Sequence, residues 1–385
     1  MLHLDWGYVD ETLGSGVLAE LTAAALREHG PNILQYGDSR GFLPLRSALA
    51  ARLRSELATP ISDEMLCVTN GATAAIDLVA RCVLKKRFDS VVFAPIYDTA
   101  LAILRMNSRR VFAIPTMPFG AAYLPPSSWA LLADALSRPR TKLLYIVPTF
   151  QNPTGITLSD ADRRRILALC REHQVTIVED DPYRSYNFSA TALPPTIWQL
   201  REAESQIVFI GSFSKLLYPS VRTGYTVSSP QVAHTIAEAQ KVTTSSANLI
   251  MQAVCAVALA NGSLDRIVSH HRQRIGEKHR LLFRAFSDTD FGRSAIFTRP
   301  TGGFFVWCRA RLQGVDSSEV VRIAHEEGVS VVPGRLYYLD AASEPEFRLS
   351  YSHVATSDVS EAAARLAGAV HRLVGRESPF RALDA

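Results

Sequence analysis

Between residues 65 and 211, five short apolar runs alternate with longer stretches of helical periodicity, and each run ends in polar or ionisable residues. This alternation predicts a mostly parallel sheet covered by helices, because neighbouring parallel strands need a crossover long enough to hold a helix. Strands are expected at Met65–Thr69, Val91–Ala94, Leu143–Val147, Val175–Glu179 and Ile207–Gly211. Open α/β sheets bind ligands just beyond the carboxyl ends of their strands. Here those ends carry Asn70-Gly71-Ala72-Thr73, Pro95-Ile96-Tyr97, an N-P-T-G segment at 152–155, Asp180-Asp181-Pro182-Tyr183 and Ser212-Phe213-Ser214-Lys215, so the five strands are expected to share one site.

The flanking segments fit this frame. Ile76, Leu78, Val79, Val83 and Leu84 mark the buried face of a helix after the first strand, and the spacing from Ser159 to Asp162 predicts a helix start there. The apolar run Leu249–Ala260 contains Gln252 and is too short to span a bilayer, so it reads as a buried helix. T-G-G-F-F-V-W at 301–307 and F-R-L-S-Y at 347–351 read as strands of a smaller α+β unit. A chain of 385 residues exceeds one hydrophobic core. We divide it into an N-terminal segment, 1–45, contributing to the small domain and to the cover of the site; a large domain, 46–270; and a small C-terminal domain, 271–385. Gly14-Ser15-Gly16 lacks a preceding strand and reads as a loop. His270, His271 and His279 lie in an arginine-rich stretch without a third ligand at metal spacing and read as a solvated helix face.

Charge and cysteine usage narrow the partners. The net charge of +4 comes from scattered arginines rather than a stripe, which argues against nucleic acid. Five widely spaced cysteines with no C-x-x-C pair point to reduced thiols and a cytoplasmic protein, and no secretory or membrane signal is visible.

Only six of the 41 basic residues are lysine, and Lys215 stands among apolar and serine residues at the end of a buried run. Such an amine can lose its proton and form a Schiff base with an aldehyde; the competing reading is a lysine snorkelling from a strand end. Its neighbours decide between them. Y-G-D-S-R-G-F-L-P-L-R at 36–46, T-N-G-A-T-A-A-I-D-L at 69–78, A-P-I-Y at 94–97, P-T-F-Q-N-P-T-G at 148–155, D-D-P-Y at 180–183, S-F-S-K at 212–215 with R-T-G-Y at 222–225, and F-R-L-S-Y at 347–351 occur in one order. Taken together, they resemble the fold type I pyridoxal-phosphate enzymes, specifically the class I/II aminotransferases of the α-aminoadipate and kynurenine branch.

The resemblance covers nearly the whole chain and implies a pyridoxal 5'-phosphate cofactor. It makes Lys215 the aldimine lysine and proton shuttle, Asp180 the partner of the pyridine nitrogen, and Tyr97 the ring stacked on the pyridine. Tyr183 and Asn152 match residues that hydrogen-bond the phenolic oxygen. The backbone of Gly71, Ala72 and Thr73 at a helix N-terminus, with Ser212, Ser214 and Arg222, would hold the phosphate. Arg348 matches the arginine that grips the substrate α-carboxylate, with Asn152 assisting. Tyr36 matches a tyrosine that reaches the phosphate across the interface of a homodimer.

This sequence departs from the family's usual pattern at Tyr8 and Val9, where small residues or proline are common, and at Ala72 and Thr73. Side-chain selection is expected from Tyr8, residues 14–18, and the surroundings of Tyr218 and Tyr337. The reading is transamination between an L-amino acid and a 2-oxo acid. The alternative keeps the cofactor and ends in elimination, replacement or cyclisation. A regulator fused to a DNA-binding domain is a third reading, disfavoured because aminotransferase-like sequence starts within the first few residues.

Overall fold

The computed structural model describes residues 1–9, 14–312, 314–340 and 344–377. Its strands are β1 (Leu2–His3), β2 (Leu66–Thr69), β3 (Asp89–Ala94), β4 (Val111–Pro115), β5 (Thr141–Ile146), β6 (Thr176–Asp180), β7 (Ile207–Ser212), β8 (Gly224–Val227), β9 (Ala295–Phe297), β10 (Phe305–Ala310), β11 (Val329–Ser330), β12 (Val332–Pro333) and β13 (Glu346–Ser350). Seven of them form one sheet in the order β2-β8-β7-β6-β5-β3-β4. All neighbours in it are parallel except around β8, which runs antiparallel to both β2 and β7. The five expected strands are present with ends shifted by one or two residues. Sequence reading missed β4 and β8: β4 is an edge strand of mixed burial, and β8 follows β7 through residues 213–223, which hold only short helical turns and no long covering helix.

Helices sandwich this sheet, and strand alternation sorts residues between its faces. On β5, Leu143 and Tyr145 pack into one core with Val178, Val208 and Ile210, while Leu144 and Ile146 pack into the other with Ile177 and Phe209. The helix Ala72–Leu84 belongs to the first core, through Ala75, Ile76 and Val79. Ser159 caps the helix Asp160–Glu172 by accepting from the Asp162 amide at 3.1 Å, as its spacing to Asp162 predicted. Leu249–Ala260 is a helix whose buried Gln252 accepts from Phe42 N–H at 2.7 Å and donates to Ala247 C=O at 2.8 Å.

A second sheet, β12-β13-β10-β9, is antiparallel and carries the 347–351 segment on β13. β1 pairs in parallel with β11, so the chain start is stitched to the C-terminal third. Two local expectations change. Gly14-Ser15-Gly16 opens the helix Gly14–His29 instead of forming a loop; the absence of a preceding strand does not preclude a helix start. The helix Ser263–Asp288 does not present its histidines to solvent. His271 is fully buried, and His279 is hydrogen-bonded to Pro300 C=O at 2.8 Å, because this helix packs against Val359–Glu377 instead of lying alone on the surface. No cluster of three metal-ligating side chains occurs among the described residues.

Candidate active site

The carboxyl ends of β2, β3, β5, β6 and β7 open onto a cavity of about 450 Å³, closed on the other side by residues 5–8 and by β10, β12 and β13. Lys215 enters it from the short helix Phe213–Leu216, which starts where β7 stops because the Ser212 hydroxyl accepts from the Ser214 amide at 3.2 Å. The Lys215 amine donates to Gly7 C=O at 2.7 Å and lies 6.0 Å from the centre of the Tyr183 ring. The Lys215 carbonyl accepts from the Tyr186 hydroxyl, which fixes the turn. Burial lowers the amine to about 8; the Arg348 and Arg222 charges push the same way and Asp180 opposes them.

Asp180 ends β6 and is 3 % exposed. Glu179 before it faces the opposite side of the sheet, where its carboxyl accepts from Ile197 N–H and Trp198 N–H, both at 2.8 Å. Asp181 after it is paired with Arg184 at 3.6 Å and does not line the cavity. Of the three consecutive acids, only Asp180 therefore faces the site. Its Oδ2 accepts from the Tyr145 hydroxyl at 2.7 Å, whereas Oδ1 is buried without a hydrogen-bond partner among the described residues. Burial raises this carboxyl to about 7.

Arg348, on β13, donates from Nη1 to Asn152 Oδ1 at 3.0 Å and from Nη2 to Asp5 C=O at 2.6 Å. Its guanidinium lies over Phe305, 4.4 Å from the ring centre. At the far end, Arg222 adopts a left-handed conformation with φ 46° and its Nη2 reaches Asn70 C=O at 3.4 Å. Gly71, with φ 86°, precedes the helix Ala72–Leu84, and a Cβ there would lie 2.9 Å from Arg222 Nη2. Ala72, Thr73, Ser212 and Ser214 line the same end, and Ser214 Oγ is buried with no partner among the described residues. Tyr97 and Tyr183 line the walls; burial holds both phenols above their ordinary range.

Of the residues singled out in the sequence, Gly71, Tyr36, Tyr218 and residues 14–18 are not lining residues of the cavity. Gly71 shapes it through Arg222, and Tyr36 stands on the surface, 90 % exposed. Tyr8 lines the rim and is 43 % exposed. Sequence reading missed Tyr145, Asp5, Trp6, Asp98 and Phe305. For Tyr145 there was a signal: it is the polar side chain in L-L-Y-I-V-P, and the alternation of β5 points it to the face used by Asp180.

A sequence model of the family described as aminotransferase class I and II matches residues 4–366. The chain belongs to the class I and II aminotransferase family. It is 30% identical over 357 residues to a 2-aminoadipate transaminase of Thermus thermophilus, covering 92% of this chain and 86% of that protein. It is 29% identical over 367 residues to an aromatic-amino-acid aminotransferase of Thermococcus litoralis, covering 93% and 84%. Among solved structures, a kynurenine aminotransferase of Pyrococcus horikoshii in complex with PMP matches with a TM-score of 0.89 at 26% identity, covering 97% of this chain and 91% of that one. The protein is a fold type I aminotransferase dependent on pyridoxal 5'-phosphate.

The cavity fits that cofactor on three counts. An amine held near 8 suits an aldehyde. An orphaned carboxylate oxygen on Asp180 suits a ring N–H. At the opposite end, helix-terminal amides, the unpartnered Ser214 hydroxyl and Arg222 suit a dianionic phosphate.

Proposed function

We propose that this aminotransferase uses Lys215 as its covalent attachment point and proton carrier, Asp180 as the charge partner of the cofactor ring, and Arg348 with Asn152 as the clamp for the substrate α-carboxylate. When bound, pyridoxal phosphate supplies an aldehyde for the substrate amine and a ring that accepts electron density from the α-carbon. The chain's own residues do the rest. Asp180 Oδ1 is aimed to hold the ring nitrogen protonated, and Tyr145 keeps its other oxygen occupied. Tyr97 supplies a flat wall for the ring, and Tyr183 and Asn152 are placed to donate to its phenolic oxygen. The phosphate end is formed by Gly71, Ala72, Thr73, Ser212, Ser214 and Arg222. Lys215, once its amine is free, is the base that moves a proton between the substrate α-carbon and the cofactor; a positioned acid–base group of this kind contributes about a hundredfold to ten-thousandfold.

The reading rests chiefly on one arrangement: an amine lowered to about 8 shares a cavity with a half-satisfied carboxylate and an asparagine-tethered arginine. The large domain 46–270 supplies the first two groups and the small domain 271–385 the third, so substrate binding would bridge them. The working form is taken to be a cytoplasmic homodimer in which Tyr36 reaches the partner's phosphate. Similarity to 2-aminoadipate and aromatic-amino-acid enzymes supports L-amino acids with longer side chains as donors. Mixing the holoenzyme with single L-amino acids and following the cofactor spectrum tests the chemistry. Stable conversion to the pyridoxamine form with one equivalent of 2-oxo acid supports it; a restored starting spectrum with a different product opposes it. Lys215→Ala is expected to abolish turnover, and retained turnover would remove Lys215 from its role.

A further inference from the structure

The cavity is lined by three cations, Lys215, Arg222 and Arg348, and three carboxylates, Asp180, Asp5 and Asp98. The proposed function engages all three cations and Asp180, leaving Asp5 and Asp98 over. No lysine or arginine precedes Arg27, so residues 5–8, which close the cavity, bring no further cation. Among the described lining residues, no further lysine or arginine is left to meet a second carboxylate on a substrate.

Asp98 follows Tyr97 as the first residue of the helix Asp98–Asn107 and is half-buried. Its carboxylate makes no hydrogen bond or ion pair among the described residues. A carboxylate in a helix's first turn gains from the dipole, but the dipole does not require the side chain to face a substrate cavity, as this one does. Tyr97 and Tyr337 line the same cavity beside it. The lining also carries two aromatic rings. Those of Trp6 and Tyr8 have their centres 5.8 Å apart, and each residue is partly exposed. Asp5, whose carboxylate is hydrogen-bonded to His3 at 3.2 Å, adds negative charge beside Trp6.

We infer that the amino donor carries a cationic side chain, an ω-amine or guanidinium, held between the Asp98 carboxylate and the Trp6 and Tyr8 rings. A half-buried carboxylate without a partner is costly until a cation arrives, and indole and phenol faces attract the same cation. A dicarboxylic donor would instead bring like charge against Asp98 and Asp5 with no cation to offset it. This inference rests on the transamination reading above.

The test is a half-reaction series on the holoenzyme, following cofactor conversion with L-lysine against L-norleucine, L-arginine against L-citrulline, and L-2-aminoadipate as the acidic donor. Each basic donor is expected to react with a specificity constant at least tenfold above that of its neutral analogue, with the acidic donor slowest. Asp98→Asn should cut the basic-to-neutral ratio at least tenfold, with the holoenzyme spectrum confirming an intact site. Trp6→Leu should lower the ratio in the same direction. Equal or greater reactivity of neutral or acidic donors, or a ratio unchanged in Asp98→Asn, overturns this inference while leaving transamination standing. Failure of every amino acid to convert the cofactor overturns both.

Discussion

At the residue scale the site depends on the protonation of two groups moved in opposite senses. Burial brings the Lys215 amine down to about 8, so its free base is about half formed at pH 8, nearly complete above about pH 9, and falls about tenfold per pH unit well below 8. Covalent uptake of pyridoxal phosphate by the apo chain, followed by absorbance, is therefore expected to accelerate tenfold per unit up to about pH 8 and then level off. A rate still climbing through pH 9 to 10 would mean that the amine keeps an ordinary lysine's affinity for its proton. Asp180 moves the other way, to about 7, and the Tyr145 hydroxyl is the hydrogen bond that restrains it. Tyr145→Phe removes that donor from a buried carboxylate, a loss of about 1–3 kcal/mol. The expected consequence is a fall in kcat of roughly five- to a hundredfold, with the acidic limb of the pH–rate profile moved to higher pH. A lower rate with an unmoved limb would assign Tyr145 to packing alone.

Elements place these residues through backbone geometry that is only partly local. The antiparallel pairing of β8 with β2 brings Gly224 so close to Gly71 that a Cβ on Gly224 would lie 2.5 Å from the Gly71 carbonyl carbon and 2.6 Å from the Ala72 nitrogen. Gly224→Ala must therefore push the start of the helix Ala72–Leu84 away from Arg222. Cofactor affinity, measured by fluorescence titration, is expected to fall at least tenfold with the far-ultraviolet dichroism retained. Gly292→Ala, which meets nothing within 4 Å, should leave it unchanged. Equal affinities in the two variants would show that the phosphate end tolerates the shift. The strand ends were legible because apolar runs and the polar residues closing them lie together in sequence, as with Ile207–Ser212 and Lys215. The Ser159 cap was legible for the same reason. Contacts between distant segments were not. Gly7 and Lys215 are 208 positions apart, and no periodicity in either segment indicates that one carbonyl accepts from the other's amine. The aromatic and acidic rim at Trp6 and Asp98 was hidden likewise, since each residue alone suits an ordinary loop or helix start.

On the scale of the whole molecule, the cover segment ties the two halves together through the site itself. Asp5 C=O accepts from Arg348 and Gly7 C=O from Lys215, so the two cations expected to receive substrate and cofactor hold residues 5–7 in place. The phosphate end has no such cover. Nearby in sequence, Leu34, Tyr36 and Leu43 are 60 %, 90 % and 54 % exposed, a run of large apolar side chains with no partner surface in the single chain. A second copy seated there would bury them and could deliver the Tyr36 hydroxyl to the phosphate, adding a charge-assisted hydrogen bond of about 1.5–3 kcal/mol. Sedimentation at micromolar concentration should accordingly show twice the chain's mass. Tyr36→Phe, which keeps the ring and removes only the hydroxyl, should preserve that mass while weakening cofactor affinity at least tenfold. A monomer that turns over, or a Tyr36→Phe dimer with unchanged affinity, would place the phosphate wholly in the hands of Ser212, Ser214, Arg222 and the helix N-terminus.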